Sequence, residues 1–310
     1  MSDPLVFKKG CKLMGNRFEL TVVAEEEDWA NERIEAGIAE IQRIERLLTT
    51  FSDDSETNRV NQNAGIMPVA VSRETFSLVE RSLRISALTQ GAFDITYGSI
   101  DKRLWNFDQN MTALPDKATA KEMVRLINYR NVEMNNDECT IYLKEKGMRI
   151  GFGGIGKGYA AERARQVMKE LGVTSGVVNA SGDLCAWGNQ PDGRPWTIGI
   201  VNPNAPKEIF SYLSVTDLAV ATSGNYEKYV TIDGKRYSHT IDPRTGLPVT
   251  GIKSVTIITT NAEIADAMAT PVMIMGIYTG LDLINQMNNI EAIIITDEDK
   301  MYTSRNINVN

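Results

Sequence analysis

His239 is the only histidine among 310 residues, and it opens the stretch HTIDPRTGLP, residues 239–248. An imidazole titrates near neutrality, so a histidine beside a bound hydroxyl can take its proton and make it a nucleophile. The plainer reading is a strand residue satisfied by hydrogen bonds, followed by a turn. In that turn Asp242 is expected to accept backbone N–H groups ahead of Pro243, a structural role. Arg244 could hold either a phosphate or that carboxylate.

Two further groups carry chemistry. Residues 151–164, GFGGIGKGYAAERA, satisfy G-x-G-x-x-G through Gly151, Gly153 and Gly156. They also fit a phosphate loop through Gly151, Gly156 and Lys157, up to Gly158, where that loop needs Ser or Thr. A dinucleotide fingerprint needs an acid about 20 residues on, and the segment there, TSGVVNAS, has none. What survives is physical: backbone N–H groups that can approach an anion, a helix start, and the charge of Lys157. The alternative is that the glycines permit close helix packing. In NAEIADAMATPV, residues 261–272, Asp266 and Thr270 stand one helical turn apart on an otherwise apolar face. Oxygen ligation of Mg²⁺ or Ca²⁺ would explain them, as would a helix-dipole role for Asp266 and a back-bonded Thr270.

These residues need elements to hold them. Residues 18–24 read as a strand. Ile34, Ile38, Ile41, Ile44 and Leu48 recur at helical spacing over 28–50. A second helix follows Ser72 as N-cap, with Phe76, Val79, Leu83 and Ala87 on one face and Gly91 as its stop. A third covers 159–171, ended by Gly172. Strands are expected at 175–181, 195–201, 210–215, 228–241 and 252–259, with Asp233-Gly234 as a hairpin turn. The alternation Tyr237, His239, Ile241 places His239 on one face of a hairpin strand. Helices at 262–275 and 281–287 precede two short terminal strands. Hairpin-linked strands mixed with helices predict an α+β fold: mixed, largely antiparallel sheets packed with helices.

A net charge of −7 and a pI near 5.0 argue against nucleic-acid binding, which depends on Lys and Arg that neutralise phosphates. An anionic ligand therefore needs a local solution. Cys11, Cys139 and Cys185 are odd in number and widely spaced, so neither a disulfide framework nor a zinc site is expected. With one histidine, any bound metal should be a hard cation held by oxygen. The first residues lack the basic-then-apolar pattern of a secretory signal. A cytoplasmic location is expected, or a periplasmic or membrane-anchored one if a signal has been removed.

Together these segments resemble the ApbE family of flavin transferases, in the family's order along nearly the whole chain. The resemblance is carried by KLMGNRFEL, LLTTFSDDSETNRVN, GAFDIT, GGIGKGYAAE, NASGDL, AVATSGNYEKY, HTIDPRTGLP and ADAMAT. It implies a single domain over residues 1–310, built of two intertwined subdomains with an FAD cleft between them. It also implies Mg²⁺-dependent transfer of FMN from FAD to a Ser or Thr hydroxyl of a protein, through a phosphoester bond, with release of AMP. The acceptor would carry a D-G-x-[ST]-G-A-T-like motif, as in flavin-carrying subunits of membrane electron-transfer complexes. An FAD pyrophosphatase giving FMN and AMP, or a non-catalytic FAD binder, are the alternatives.

Carried over by position, the resemblance sets Met14, Phe51, Ala92, Phe93, Asp94, Lys157 and Thr240 against FAD. It makes Gly154, through its carbonyl, Asp266 and Thr270 metal ligands, and His239 and Lys157 catalytic. Thr222, Ser223 and Gly224 would line the cleft, and Asp183 would support it. The chain departs from the family pattern at Gly151, where many members carry an FAD-contacting Asp, and at Ala269, a second acid in some. Phe51 stands for a common Tyr, and Ser181 for a Gly.

Overall fold

The computed structural model describes residues 4–202, 205–225 and 228–307. Tyr226 and Glu227 of the 219–229 segment, and the extreme ends of the expected 1–310 domain, lie outside them. The first half runs β1 (Leu5–Leu13), β2 (Asn16–Ala24), α1 (Glu27–Leu48), α2 (Glu56–Gln62), β3 (Val69–Ala70), α3 (Arg73–Leu88), α4 (Lys117–Met123), β4 (Val132–Asn135) and β5 (Thr140–Leu143). Then come α5 (Gly156–Glu170), β6 (Gly176–Ala180), β7 (Asp183–Trp187), β8 (Trp196–Asn202), β9 (Ala205–Val215) and β10 (Leu218–Gly224). The rest is β11 (Tyr229–Ile232), β12 (Lys235–Ser238), β13 (Ile252–Thr259), α6 (Ala262–Met275), α7 (Ile277–Asn285), β14 (Ile290–Thr296) and β15 (Met301–Thr303).

The expected α+β class holds. An eight-stranded sheet in the order β1-β2-β6-β7-β10-β13-β14-β15 pairs antiparallel throughout. Helices α1, α5 and α6 pack beside it and share its main core. Smaller sheets are β3-β5-β4 and the hairpins β8-β9 and β11-β12. Among the described residues no helix is long and apolar enough to cross a membrane.

In α1 the apolar stripe is buried as expected, and the helix stops at Leu48 because Thr49 leaves helical space. Ser72 caps α3 through Thr75 N–H, but the buried face includes Ser82, Ile85 and Ser86, whereas Ala87 is exposed. The two serines escape an apolar count because their hydroxyls bond back to Leu78 and Ser82 carbonyls, at 2.8 and 3.0 Å. Helix α5 begins at Gly156, three residues before the expected start, so Lys157 stands in its first turn.

His239 does not lie in a strand. The ladder of β12 ends at Ser238, whose hydroxyl accepts Thr240 N–H at 2.8 Å while its own N–H reaches Val249 O at 2.9 Å. The named strand stops there, with His239 just past it and its N–H still reaching Lys228 O at 3.0 Å. Beyond it, Ile241 bridges Pro248, and Asp242 accepts Gly246 N–H at 2.8 Å, closing the turn.

Candidate functional site

A cleft of about 900 Å³ opens beside the sheet. Met14, Phe51, Ala92, Phe93, Asp94, Gly154, Lys157, His239, Thr240 and Thr270 all line it. Residues scattered over 257 positions of sequence thus meet at one surface, most of them from turns, loops and a helix start, and Thr270 from within α6. Met14 occupies the β1–β2 turn with φ of 51° and is pinned by its N–H to the Glu45 carboxylate at 2.6 Å. Phe51 projects from the loop between α1 and α2 and is 98% exposed. Ser223 of β10 also lines the cleft; Thr222 behind it holds Asp183 through its N–H at 3.3 Å. Gly224 is not part of the lining.

Lys157 is the electrostatic centre. Its ammonium sits on the Asp183 carboxylate and 3.4 Å from Asp266 Oδ1, and both carboxylates are buried. Asp266 Oδ2 accepts Gly158 N–H at 2.9 Å, tying α6 to the first turn of α5. Both partners hold the Lys157 charge, raising its pKa against the penalty of burial. Desolvation, then the charge of Asp266, pushes Asp183 up to about 6, with Lys157 opposing.

The glycines divide their labour. A Cβ on Gly151 or Gly153 would meet nothing within 4 Å, so these two leave the cleft wall open. A Cβ on Gly158 would lie 2.2 Å from Ala262 O, so that glycine exists for helix packing. The packing reading therefore holds at Gly158, while Gly151 and Gly153 keep the wall open. None of these three adopts a positive φ.

At the far wall, the His239 ring is exposed, with Nδ1 3.2 Å from Lys228 O and an edge contact to Phe107 at 6.3 Å between centroids. Protein mass on its inner side lowers its pKa by desolvation, which the Lys228 carbonyl opposes and the Lys228 charge reinforces. Asp242 clasps Arg244 through two bonds of 2.9 Å, so the arginine serves the turn rather than a phosphate. Asp94 also faces inward. Its Oδ1 accepts Thr96 N–H at 2.8 Å and Oγ1 at 2.6 Å, and its Oδ2 accepts Tyr129 N–H at 2.9 Å. Asp94 borders the cleft with its oxygens committed to protein, and burial raises its pKa. Ser181, at φ of 54°, takes the conformation a glycine would, and its hydroxyl bonds both Arg17 N–H and Arg17 O as compensation.

Lys102, Tyr97 and Arg149 also line the cleft and were not expected there. Lys102 and Arg149 fall on irregular segments and Tyr97 on a short 3-10 turn, Ile95–Ser99, where no periodicity marks which way a side chain points.

A hard cation fits this site. Among the described residues no three of His, Cys, Asp and Glu gather into a metal cluster. One carboxylate is nevertheless what Mg²⁺ takes when waters and substrate phosphates complete its shell. Asp266 would be that carboxylate: it is not among the residues lining the cleft, its Oδ2 accepts Gly158 N–H and its Oδ1 faces Lys157, while the Thr270 hydroxyl in the lining stands 3.3 Å from the Ser223 hydroxyl. Two buried carboxylates against one ammonium also leave a net negative charge that a cation would offset.

An antiparallel α+β scaffold thus brings a clasped lysine, an open glycine wall and an accessible histidine to one cleft. The chain belongs to the ApbE family, whose model matches residues 14–294. An FAD:protein FMN transferase of Klebsiella pneumoniae is 31% identical over 298 residues, covering 96% of this chain and 91% of the relative. Another, of Treponema pallidum, is 31% identical over 282 residues, covering 86% and 78%. The ApbE protein of Thermotoga maritima superimposes with a TM-score of 0.85 at 29% identity, over 97% of each chain. The flavinyl transferase ApbE of Pseudomonas stutzeri, in its apo form, gives 0.83 at 27%, covering 97% of this chain and 95% of its own.

Proposed function

We propose that this protein transfers FMN from FAD to a Ser or Thr hydroxyl of a target protein, releasing AMP. The observation that carries the reading is the shared cleft: Lys157 clasped by Asp183 and Asp266 lines the same cavity as the only histidine. The acceptor oxygen forms a new bond to the FMN phosphorus as the pyrophosphate bond to AMP breaks, and AMP keeps the bridging oxygen. His239 takes the hydroxyl proton; its lowered pKa keeps the imidazole neutral and able to accept at neutral pH. The open backbone at Gly151 and Gly153 lets the diphosphate approach the start of α5, where Lys157 opposes charge on the phosphoryl oxygens. Phe51 offers the flavin ring a stacking face. Mg²⁺ held by Asp266, Thr270 and the Gly154 carbonyl would add Lewis-acid charge against the pyrophosphate.

The target is a protein with a D-G-x-[ST]-G-A-T-like segment, as in flavin-carrying subunits of membrane electron-transfer complexes. The test is incubation with FAD and Mg²⁺, with and without a peptide of that pattern, following AMP and peptide mass. AMP with a mass gain of one FMN supports transfer. AMP without mass gain identifies a pyrophosphatase, and neither product identifies a binding protein.

A further inference from the structure

Helix α2 has no part in the chemistry above, yet it carries two buried asparagines, Asn58 and Asn61, three residues apart on one face. The Asn58 amide donates to Thr50 O and to Ser52 O, each at 2.8 Å. These carbonyls flank Phe51. In the same loop the Ser55 hydroxyl donates to Thr49 O at 2.6 Å, and Phe51 N–H reaches the Thr49 hydroxyl at 3.1 Å. The backbone around Phe51 is thus tied on both sides while its ring is bare to solvent.

Asn61 works on the glycine side of the same cleft, where Ile150 is part of the lining. Its Oδ1 accepts Ile150 N–H at 2.7 Å and its Nδ2 donates to Ile150 O at 3.0 Å, satisfying both backbone groups of a fully buried residue. Ile150 is the last residue before the open glycines. The platform itself is fixed: Glu56 accepts Ser72 N–H and hydroxyl at 2.9 and 2.8 Å, joining α2 to the start of α3.

Holding an aromatic ring in water costs apolar exposure, and a rigid loop under it forgoes the chance of burying it. Such an arrangement is explained when a ligand supplies the missing contact and rigidity lowers the entropy cost of binding. We propose that α2 sets the width of the cleft: Asn58 positions the Phe51 wall and Asn61 the glycine wall, so that one short helix gauges the span between a ligand's ring and its phosphates. This rests on the FAD reading above, and both asparagines are positioning residues.

The test is calorimetric binding of FAD, riboflavin and inorganic pyrophosphate with Mg²⁺ to the full chain and to Asn58→Leu and Asn61→Asp. The first change is near-isosteric and leaves Thr50 and Ser52 carbonyls within reach of water. The second keeps the acceptor for Ile150 N–H. Asn58→Leu is expected to weaken FAD and riboflavin by about tenfold, the loss of roughly 1.4 kcal/mol of preorganised contact, with pyrophosphate unchanged. Asn61→Asp should weaken FAD and pyrophosphate and spare riboflavin. Unchanged affinities in both variants would overturn the proposal. So would an equal loss of all three ligands that tracks a lowered melting temperature, which is the mark of a merely structural role. If the unaltered protein binds pyrophosphate but neither flavin, the FAD reading fails and the gauge falls with it.

Discussion

Replacing Gly158 with Ala should loosen the joint between α5 and α6 and damage the site through it. The new Cβ would lie 2.2 Å from Ala262 O and 2.6 Å from Asp266 Cβ, where ordinary contact begins at 3.4 Å. The obstacle is backbone, so the helices must part by more than an ångström. Overpacking of this kind costs about 1–3 kcal/mol. Stretching the Gly158 N–H bond to Asp266, a charged acceptor, adds about 1.5–3 kcal/mol. The gain in helix propensity returns at most about 1 kcal/mol, leaving a net loss of about 2–5 kcal/mol. For a chain of this length that lowers the melting temperature by roughly 3–8 °C. Differential scanning calorimetry reads it, and Gly153→Ala is the control. The Gly153 methyl enters open space, so its melting temperature should stay within about 1 °C while FAD affinity falls. A Gly158→Ala protein that melts at or above the original temperature, as an ordinary exposed helix position would, refutes the close approach of α5 and α6.

Three other outcomes are expected. His239→Ala should lower acceptor labelling by about 10²–10⁴-fold, the usual weight of a general base, and leave FAD bound in equilibrium dialysis. The neutral imidazole is the active form and desolvation on its protein side lowers its pKa, so the acid limb of kcat/KM should lie below about pH 6.5 and vanish in that variant; an unmoved limb excludes the assignment. Asp266→Ala should abolish Mg²⁺-dependent AMP release, and a variant with the original metal requirement would remove Asp266 from the ligand set. Asp94→Asn turns an amide N–H₂ toward the N–H of either Tyr129 or Thr96. It should cost about 1–3 kcal/mol of stability, visible as a lowered urea midpoint.

The fold class and most helices were legible because burial imposes periodicity: the isoleucine stripe of α1 reads directly as one face. His239, Lys157 and Asp266 were legible as unusual residues in unusual company. Their meeting was not, because β6, β7 and β10 bring Asp183 and Ser223 to the cleft through pairings that no local pattern encodes. The strand expected to run to Ile241 ends at Ser238, and beyond His239 the Ser238 hydroxyl takes the Thr240 N–H, an effect of a single side chain. Asp94 shows the opposite limit. A carboxylate in a motif invites a ligand, but here it is held by the N–H and hydroxyl of Thr96 two residues on and by Tyr129 N–H, which only the folded chain brings near.

The charges of the cleft make one last connection. The chain is acidic overall, with a net charge of −7, yet the proposed substrate is a dianionic pyrophosphate. Lys157 cannot resolve that conflict alone, since Asp183 and Asp266 already claim its charge. Arg149 and Lys102 line the same cleft, and among the described residues neither pairs with an acid through its side chain. They are exposed, so their pull is screened over about 8–10 Å at moderate salt, and they serve best in drawing the anion to the mouth. Deeper in, where screening fails, the net negative charge of the Asp183–Lys157–Asp266 group would repel a phosphate unless a cation came with it. On the proposed function this arrangement would tie productive binding to the metal: Arg149 and Lys102 would admit FAD without it, but the phosphates should settle beside Lys157 only when both arrive. Measured at fixed ionic strength, FAD affinity should rise with Mg²⁺ in the original protein. In Asp266→Ala, where Lys157 keeps one carboxylate instead of two, that dependence should flatten, and an undiminished dependence would refute the electrostatic argument.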